Sequence, residues 1–502
     1  MPLADDGRPL ESVDGARAPE RDAGGAFLVA ALAALVVARL PVLVVRAFDN
    51  DEFEHAHAAW NVSRGLLPYK DFFEHHTPWH YFALSPLFRW FAADRSFDAA
   101  RHFLISARLV SLALTMLAAV LVFLVGRLGA TRRTGLIACL LFLAQPVLIH
   151  KTLEIRPDVP ALTFFVGALW SLRRALLAPQ RPTLARLGWF LCGGLCLGGA
   201  VMCTQKLLFA LPGVFLGLGL WVLGGGRRAW ASRAAAILVV LAGVALPALC
   251  TWLWFTAHGG GRQFVYDNFL LNARWRWRTG RHVLVLLRSS WPVFLLGLVG
   301  AGEALFGRRA GRRDDGDVLL LCALLGLVAG AFVVPAAYEQ YYLPPLTIAC
   351  LFAARGLSLL LERSRHRERS WLVVAAILPL LIWPALDVRS ALDRRSDVEM
   401  ARLRFVFAHT SPDQPVLDGW LGTNVFRPAP LYYNFMHREL LVSMTDGERD
   451  AYLDALTTGR ARPALIAMDD ELRALGPRFL AFVRDHYVSD DGVFYLPARS
   501  RN

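Results

Sequence analysis

Eleven long apolar runs constrain the fold more strongly than any other feature of this sequence. A helix needs about 20 consecutive apolar residues to cross the hydrocarbon core of a bilayer, which is ~30 Å thick. Several such runs in series are typical of polytopic α-helical membrane proteins. We therefore predict about eleven transmembrane helices, at approximately residues 26–48, 102–127, 134–150, 158–176, 186–204, 207–224, 234–257, 283–306, 317–335, 341–361 and 371–388.

Charge divides the chain into two parts of different character. Residues 391–502 contain 16 acidic and 14 basic residues, whereas residues 1–390 contain 25 acidic and 40 basic residues. Only 19% of the whole chain is charged, against about 25% in ordinary soluble domains. We therefore predict a cytoplasmic segment over 1–25, a transmembrane domain over 26–390 and a soluble extracytoplasmic α/β domain over 391–502. A soluble enzyme, a disordered chain and a disulfide scaffold are excluded.

The predicted soluble tail shows short strand-like runs and one long amphipathic pattern. Helical and strand-like runs alternate along it, as in a small α/β domain. All seven cysteines lie outside the tail, inside apolar runs and without metal-ligand spacing, so we interpret them as buried apolar residues. The predicted tail elements are strands near 416–417, 464–468 and 493–496 and a helix over 471–486.

Arginine placement predicts the orientation. Lys and Arg concentrate in the cytoplasmic loops of membrane proteins. Arginine clusters follow every second apolar run, so those loops and the N-terminus are expected in the cytoplasm. An odd number of spans then places residues 391–502 outside, and the protein is predicted to reside in the cell (inner) membrane. The clusters include Arg132 and Arg133, Arg173 and Arg174, Arg227 and Arg228, Arg308 and Arg309, and Arg363 and Arg365.

The first outer loop, residues 49–101, carries the densest set of reactive side chains. Residues 52–64 are predicted to form a helix with Asp51 as N-cap and Glu54 completing a capping box. A carboxylate fixed at a helix start is oriented and kept ionised, which suits a general base. Asp51 is therefore the first catalytic candidate and Glu52 a competitor. The alternative is that Asp51 only caps the helix.

The histidines of this loop raise the question of a metal. Five of the 13 histidines lie between His55 and His80, among them His75 and His76. No helical zinc spacing such as HExxH is present, so no tightly bound metal is predicted. Use of a divalent cation, Mg²⁺ or Mn²⁺, stays open.

Cations on the predicted outer side suggest a phosphate ligand. The chain has three lysines, Lys70, Lys151 and Lys206, and all fall on that side. A lysine ammonium is a compact donor for phosphate. The alternative is anchoring to ordinary lipid headgroups, which also explains interfacial Trp and Arg. Further cation candidates on that side are Arg156, before the fourth span, and Arg274, Arg276 and Arg278, which alternate with tryptophans. Asp158, at the start of the fourth helix beside Pro157, is the second catalytic candidate: it competes with Asp51 for the role of base, or positions the acceptor or pairs with a cation.

These motifs, taken in order, resemble those of the GT-C glycosyltransferases, in particular bacterial relatives of the protein O-mannosyltransferases and the aminoarabinose–lipid A transferases. The resemblance covers roughly residues 26–390 and more weakly the tail. It implies Asp51 as the acidic residue of the first outer loop, with Arg156 and Lys206 as donor-phosphate contacts. The matching segments are Asp51-Glu52, Gly65 to Tyr69, Asp71 to Pro78, Arg156-Pro157-Asp158, Thr204-Gln205-Lys206, Glu339 to Pro344 with Tyr341, Asp418-Gly419-Trp420 and Phe426-Arg427-Pro428.

The resemblance implies a membrane enzyme that moves a sugar from a polyprenyl-phosphate donor to a lipid, glycan or protein acceptor at the outer face. The family segment at Glu339 usually has a histidine in place of this glutamate. The rival class is a transporter or flippase of lipid-linked sugars, but the sequence shows no repeated halves with interrupted helices. No phosphate-binding loop, dinucleotide motif or nucleic-acid-binding pattern is present. The partners expected are therefore the lipid-linked donor, the acceptor and the bilayer.

Overall fold

A computed structural model describes residues 23–178, 183–274, 281–307, 314–334, 337–363 and 370–498. Within these residues the chain consists of long helices followed by a small mixed domain. The helices before the tail are α1 Ala23–Val45, α2 Asn50–Ser63, α3 Trp79–Leu84, α4 Phe88–Phe91, α5 Phe97–Arg127, α6 Arg132–Leu143, α7 Pro146–Lys151, α8 Asp158–Leu177, α9 Leu184–Cys203, α10 Ala210–Leu223, α11 Arg227–Ala257, α12 Gly261–Val265, α13 Arg281–Phe306, α14 Asp315–Val333, α15 Leu343–Arg363 and α16 Ser370–Asp393.

The helices reproduce the predicted membrane spans. In the described ranges, eight helical segments are long and apolar enough to cross a bilayer. The other three predicted runs are also helical: the third is α6 with α7, the fourth is α8 and the last is α16. Together these helices give the expected polytopic α-helical membrane protein. The eight segments contain α1, α5, α9, α10, α11, α13, α14 and α15.

The third predicted span, 134–150, is not continuous. Helix α6 ends at Leu143, and Pro146 begins the separate helix α7. Proline has no N–H to donate and its ring clashes with the preceding turn, so the helix breaks there. After the break, α7 ends at Lys151. Lys151 and the nearby Glu154 belong to the site described below.

Glycines allow neighbouring spans to approach closely. A Cβ added at Gly194 of α9 would lie 2.4 Å from the carbonyl oxygen of Val240 in α11, and Gly243 faces Gly194 in return. Small residues permit such backbone contact between membrane helices, where no hydrophobic effect drives association. The same device joins α10 to α14 and α13 to α15.

The tail forms a four-stranded sheet with helices around it. Strands β1 and β2 are parallel, and β4 is antiparallel to both β2 and β3, in the order β1-β2-β4-β3. The single helix expected over 471–486 is two helices, because Gly476 adopts φ +98° and Pro477 starts a new one. The elements are α17 Asp397–His409, β1 Val416–Asp418, α18 Arg438–Ser443, α19 Asp446–Thr457, β2 Leu465–Ala467, α20 Asp470–Arg473, α21 Pro477–His486, β3 Tyr487–Val488 and β4 Phe494–Pro497.

The tail packs on the helix α2, which the sequence predicted in the first outer loop. Phe53 of α2 shares an apolar cluster with Phe103 of α5 and with Phe426 of the tail. Gly422, at φ +75°, leaves no room for a side chain, since an added Cβ would lie 2.4 Å from the Phe53 ring. Helix α2 is thus enclosed between the membrane helices and the tail, and ten of its residues are buried.

Candidate functional site

One large cavity of about 1070 Å³ collects most of the candidate residues. Its wall is built from the start of α2, the loop before α3, the connection between α7 and α8, the segment after α9 and parts of the tail. Part of the wall is apolar, with Val147, Phe209 and Val285 among the residues. The candidates that line it are Asp51, His75, His76, Arg156, Lys206, Glu339 and Tyr341.

The start of α2 differs by two residues from the prediction. Asp49, rather than Asp51, is the N-cap, and its Oδ1 accepts the Asp51 N–H at 3.1 Å. Glu52, rather than Glu54, completes the capping box by accepting the Asp49 N–H at 3.0 Å. The helix begins earlier because Asp49 has the extended conformation of an N-cap while Asn50 is already helical. Neither Asp51 nor Glu54 is therefore needed as a cap, and both line the cavity.

Arg156 holds the acidic groups at this wall together. Its guanidinium lies 2.6 Å from an Asp51 carboxylate oxygen and 3.1 Å from one of Asp49. Its Nε also donates to Glu154, which is fully buried. Glu154 in turn contacts Arg46 at 2.5 Å and Lys151 at 3.3 Å. Arg156 thus fixes the Asp51 carboxylate against the connection that precedes α8.

This network determines the ionisation of Asp51. Burial alone would raise the pKa of the Asp51 carboxyl, but Arg156 and then Lys151 outweigh it, so the pKa is lowered. Burial dominates at Asp49, whose pKa is raised although Arg156 opposes the shift. Charge pairing at close range favours the ionised carboxylate. Asp51 is therefore an oriented, ionised carboxylate that is 28% exposed and can reach a ligand in the cavity.

Glu52 points away from the cavity. It is fully buried and accepts two hydrogen bonds from Arg108 of α5, at 2.6 and 2.8 Å. It also accepts the Ile155 N–H at 3.1 Å. Arg108 donates in addition to backbone oxygens that follow α1. Glu52 thus joins α2 to the membrane helices. Because it does not face the cavity, this position does not support the catalytic role considered from the sequence.

Lys206 and Asp158 form a second pair. The Lys206 ammonium lies 2.9 Å from Asp158 Oδ1 and 4.7 Å from the centre of the Tyr341 ring. Asp158 is in the first turn of α8, directly after Pro157, as the sequence indicated. Lys206 and Tyr341 line the cavity, whereas Asp158 lies behind Lys206 and lines a small adjoining pocket. Lys206 therefore presents a held positive charge to the cavity.

A third group combines two carboxylates with two imidazoles. Ligand atoms of Glu54, Glu74, His75 and His76 all lie within 4.8 Å of one another, and all four residues are buried. Burial and the neighbouring Glu74 raise the pKa of the Glu54 carboxyl well above its usual value. His75 and His76 were singled out in the sequence, but Glu54 was assigned to the capping box and Glu74 was given no role.

The remaining cation candidates are placed differently. Lys70 is exposed outside the cavity. Arg274 is also exposed, and its guanidinium donates to the Tyr266 hydroxyl at 3.2 Å. Neither residue lines the cavity in the described part of the chain, so the geometry gives no support to the phosphate contacts expected of them. Arg276 and Arg278 lie outside the described residues.

Three residues of the tail beyond α16 complete the cavity wall and were given no site role from the sequence. They are Trp420, His437 and Glu439. The Trp420 N–H donates to Asp469, and the Tyr338 hydroxyl donates to Glu439, so both are fixed by neighbours. The motif at Asp418 to Trp420 was the only available signal. No spacing in the sequence shows that the loop after β1 reaches the membrane domain.

Comparison with known proteins agrees with this architecture. Residues 85–255 match the family described as dolichyl-phosphate-mannose-protein mannosyltransferase. No curated protein matches the chain significantly in sequence.

Solved structures match almost the whole chain. ArnT from Cupriavidus metallidurans in the apo state superimposes with a TM-score of 0.66 at 14% identity, covering 95% of this chain and 98% of that one. The same protein bound to undecaprenyl phosphate gives 0.63 at 13% identity, with the same coverage. The archaeal oligosaccharyltransferase AglB from Archaeoglobus fulgidus, in complex with an inhibitory peptide and a dolichol-phosphate, gives 0.57 at 12% identity over 95% of this chain and 75% of that one.

The chain is therefore an integral membrane protein with the GT-C fold. The superpositions confirm, at the level of the fold, the resemblance first drawn from short motifs, and the family model matches residues 85–255.

The buried pair of Glu52 and Arg108 gives a stability prediction. Glu52→Gln leaves the Arg108 charge buried without its partner, which typically costs about 3–5 kcal/mol. We expect a marked fall in the thermal unfolding midpoint of the purified protein in detergent. Glu339→Gln is the control, because Glu339 is partly exposed at the cavity wall and its loss should cost below about 0.5 kcal/mol. If the Glu52→Gln protein is as stable as the wild type but inactive, Glu52 has a catalytic role rather than a structural one.

Proposed function

We propose that this protein transfers a sugar from a polyprenyl-phosphate donor to a lipid, glycan or protein acceptor at the outer face of the membrane. The observation that carries the proposal is the ionised Asp51, held by Arg156 at 2.6 Å on the wall of a cavity within a GT-C fold. The relatives support it, since one is bound to undecaprenyl phosphate and another to a dolichol-phosphate.

The lining of the cavity suits a ligand with a charged head and an apolar chain. Lys206 and Lys151 supply ammonium groups, while Phe209, Val285 and Val333 supply apolar surface. A polyprenyl phosphate has this combination of a phosphate and a hydrocarbon chain. Lys206 is our candidate for the phosphate, because Asp158 and Tyr341 hold its ammonium at the cavity wall.

The reaction follows from these placements. The acceptor oxygen or nitrogen attacks the anomeric carbon as the bond from that carbon to the donor phosphate oxygen breaks. Asp51 takes the proton of the acceptor, and the phosphate leaves with the electron pair of the broken bond. A positive group that faces the developing charge stabilises the leaving phosphate. A single displacement of this kind inverts the anomeric centre.

Arg156 has a different role in this proposal from the one that the resemblance implied. Three carboxylates, those of Asp49, Asp51 and Glu154, already surround its guanidinium. A donor phosphate would have to displace them. We therefore propose Arg156 as a positioning residue that orients Asp51 and keeps it ionised, with Lys206 as the phosphate contact.

The rival interpretation as a transporter or flippase of lipid-linked sugars is not favoured. Asp51, Arg156, Lys206 and the histidine cluster gather at one end of the membrane helices. Alternating access instead uses a site near the middle of the bilayer between repeated halves. Transfer of labelled sugar from the donor to the acceptor would distinguish the glycosyltransferase from the transporter, because a transporter moves the lipid-linked sugar without breaking its bond to phosphate.

The orientation can be tested directly. We propose that the cavity and the tail face the periplasm or cell exterior in the inner membrane, because Arg132, Arg173 and Arg227 lie near helix ends on the opposite side. In a cysteine-free background, a cysteine at Ser411 of the tail should react with an impermeant maleimide in intact cells. A cysteine at Arg132 should react only after the membrane is permeabilised. The reverse pattern would contradict the orientation and the outer-face reaction together.

The base assignment predicts a specific loss. Asp51→Asn leaves the Asp49 cap intact, so protein should accumulate normally, while transfer of labelled sugar falls by the ~10²-fold typical of a lost general base. Asp49→Asn is the matched control, because Asn caps a helix about as well as Asp. It should lose much less activity, since the Asp51–Arg156 pair remains. Full activity of Asp51→Asn would remove Asp51 from the reaction.

The two roles considered for Arg156 predict different pH profiles. Arg156 lowers the pKa of Asp51, so Arg156→Gln should raise that pKa and move the acidic limb of kcat/KM to higher pH. Activity would then be lost first at low pH and partly regained as pH rises. Arg156→Lys keeps the charge and should shift the limb less. An unmoved limb with a raised KM for the donor at every pH would identify Arg156 as a phosphate contact.

A further inference from the structure

We propose that Arg186 and Arg233 bind the phosphate group of an anionic membrane lipid. Both line a small pocket between α9, α10 and α11, which we call the arginine pocket, at the opposite end of these helices from the cavity. Helix α9 begins at Leu184, close to Arg186, and ends at Cys203, close to Lys206. Its 20 residues extend over about 30 Å, so the arginine pocket is remote from the proposed transfer reaction. The proposal is independent of that reaction.

The two arginines are buried without a carboxylate partner in contact. Arg186 is 9% exposed and Arg233 is 8% exposed. Within the described ranges neither forms an ion pair with an acidic side chain. Asp315, at the start of α14, attracts Arg186 only at longer range, and the two arginines repel each other. Buried charges are normally paired, because an unpaired one is costly, and an anion in the pocket would balance both.

Each guanidinium is oriented by a bond to a helix end and still has donors to offer. Arg186 Nε donates to the carbonyl oxygen of Ala175 in the last turn of α8, at 2.9 Å. Arg233 Nη1 donates to the carbonyl oxygen of Trp221 in the last turn of α10. A guanidinium has five N–H donors, so most of those on each arginine stay available to a ligand.

One aromatic ring brings the two charges together. The guanidinium carbons of Arg186 and Arg233 lie 5.4 and 4.8 Å from the centre of the Trp221 ring. Gly225 is needed beside them, because an added Cβ would lie 2.7 Å from the guanidinium carbon of Arg233. Guanidinium groups match the geometry of phosphate oxygens and bind them with charge-assisted hydrogen bonds. The arginine pocket is therefore built before a phosphate arrives.

The surroundings favour a lipid over a soluble phosphate. The pocket has a volume of about 30 Å³, so only a small charged group of a ligand enters it. Leu191 of α9 and Leu238 of α11, each five residues beyond an arginine of the pocket, are 40% and 65% exposed. A phosphate held by the arginines would leave the acyl chains of the same molecule beside this apolar surface. Basic pockets between membrane helices are typical sites for anionic headgroups.

The alternative is that the two arginines only cap the ends of α8 and α10. Capping accounts for one hydrogen bond of each guanidinium. It does not account for two like charges placed against a single ring. A bound phosphate accounts for both observations, because its oxygens accept from two guanidinium groups at once.

The test measures lipid retention rather than turnover. Delipidated protein in detergent is mixed with palmitoyl-oleoyl phosphatidylglycerol or the matching phosphatidylcholine, and bound lipid is counted by native mass spectrometry. We expect wild-type protein to retain one phosphatidylglycerol in preference to phosphatidylcholine. Affinity should fall by about tenfold or more in the double variant Arg186→Gln/Arg233→Gln, because charge-assisted hydrogen bonds are lost.

The matched control removes the same charge from the same end of α11. Arg227 and Arg228 are exposed in its first turn and do not line the arginine pocket. The double variant Arg227→Gln/Arg228→Gln should therefore retain phosphatidylglycerol almost as well as the wild type. An equal loss in this control would show general attraction to the helix end and overturn the proposal. Unchanged retention in Arg186→Gln/Arg233→Gln would leave the two arginines as caps only.

Two further measurements complete the test. Inorganic phosphate is added as a competitor, and full displacement of phosphatidylglycerol at equal concentration would identify a soluble anion instead of a lipid. If the arginine variant fails to fold, Ser232→Phe decides, because Ser232 is exposed at the edge of the arginine pocket and a phenyl ring there fills it while both arginines stay. Lowered retention in Ser232→Phe supports the lipid site, and unchanged retention contradicts it.

Discussion

The guanidinium of Arg156 is the interaction on which the rest of the site depends. It is buried between the start of α2 and the connection before α8, and it contacts Asp49, Asp51 and Glu154. Several charges can be buried together only when each has partners, since an unpaired buried charge is strongly destabilising. Arginine suits this position because its planar group offers five donors in fixed directions. The orientation of the Asp51 carboxylate, which is proposed as the base, follows from this one side chain.

Three acidic residues within four positions of α2 have three different environments. Glu52 faces Arg108 and the membrane helices, Asp51 faces Arg156 and the cavity, and Glu54 faces Glu74 and the histidines. Their ionisation differs accordingly, because the pKa of Asp51 is lowered by cations and that of Glu54 is raised by burial and a second carboxylate. Environments that move the pKa values of nearby acids apart are how a single fold assigns them separate tasks. One turn of helix thus contains both the acid that joins α2 to the membrane helices and the acid proposed as the base.

The cavity is a composite of two parts of the chain. The membrane helices supply Lys206, Tyr341 and most of the apolar wall, and the tail supplies Trp420 and His437. In the tail, Phe426 and Gly422 pack against α2. The helix that contains the proposed base is therefore also the helix on which the tail packs. A ligand with a phosphate head and an apolar chain would therefore meet both parts at once. The match to the apo ArnT structure likewise extends over 95% of this chain, tail included.

The sequence by itself determined the membrane architecture, because a helix that crosses a bilayer must be apolar along its length, and this is visible residue by residue. It also predicted Asp51, Arg156, Lys206, His75 and His76, which the structure brings to one cavity. It did not decide which acid caps α2, which carboxylate meets Arg108, or that Lys70 and Arg274 lie elsewhere. Those outcomes depend on contacts between segments far apart in the chain, such as Glu52 with Arg108 and Trp420 with Asp469. Only tertiary structure decides them, because local spacing sets which side chains share a helix face but not which distant partner that face meets.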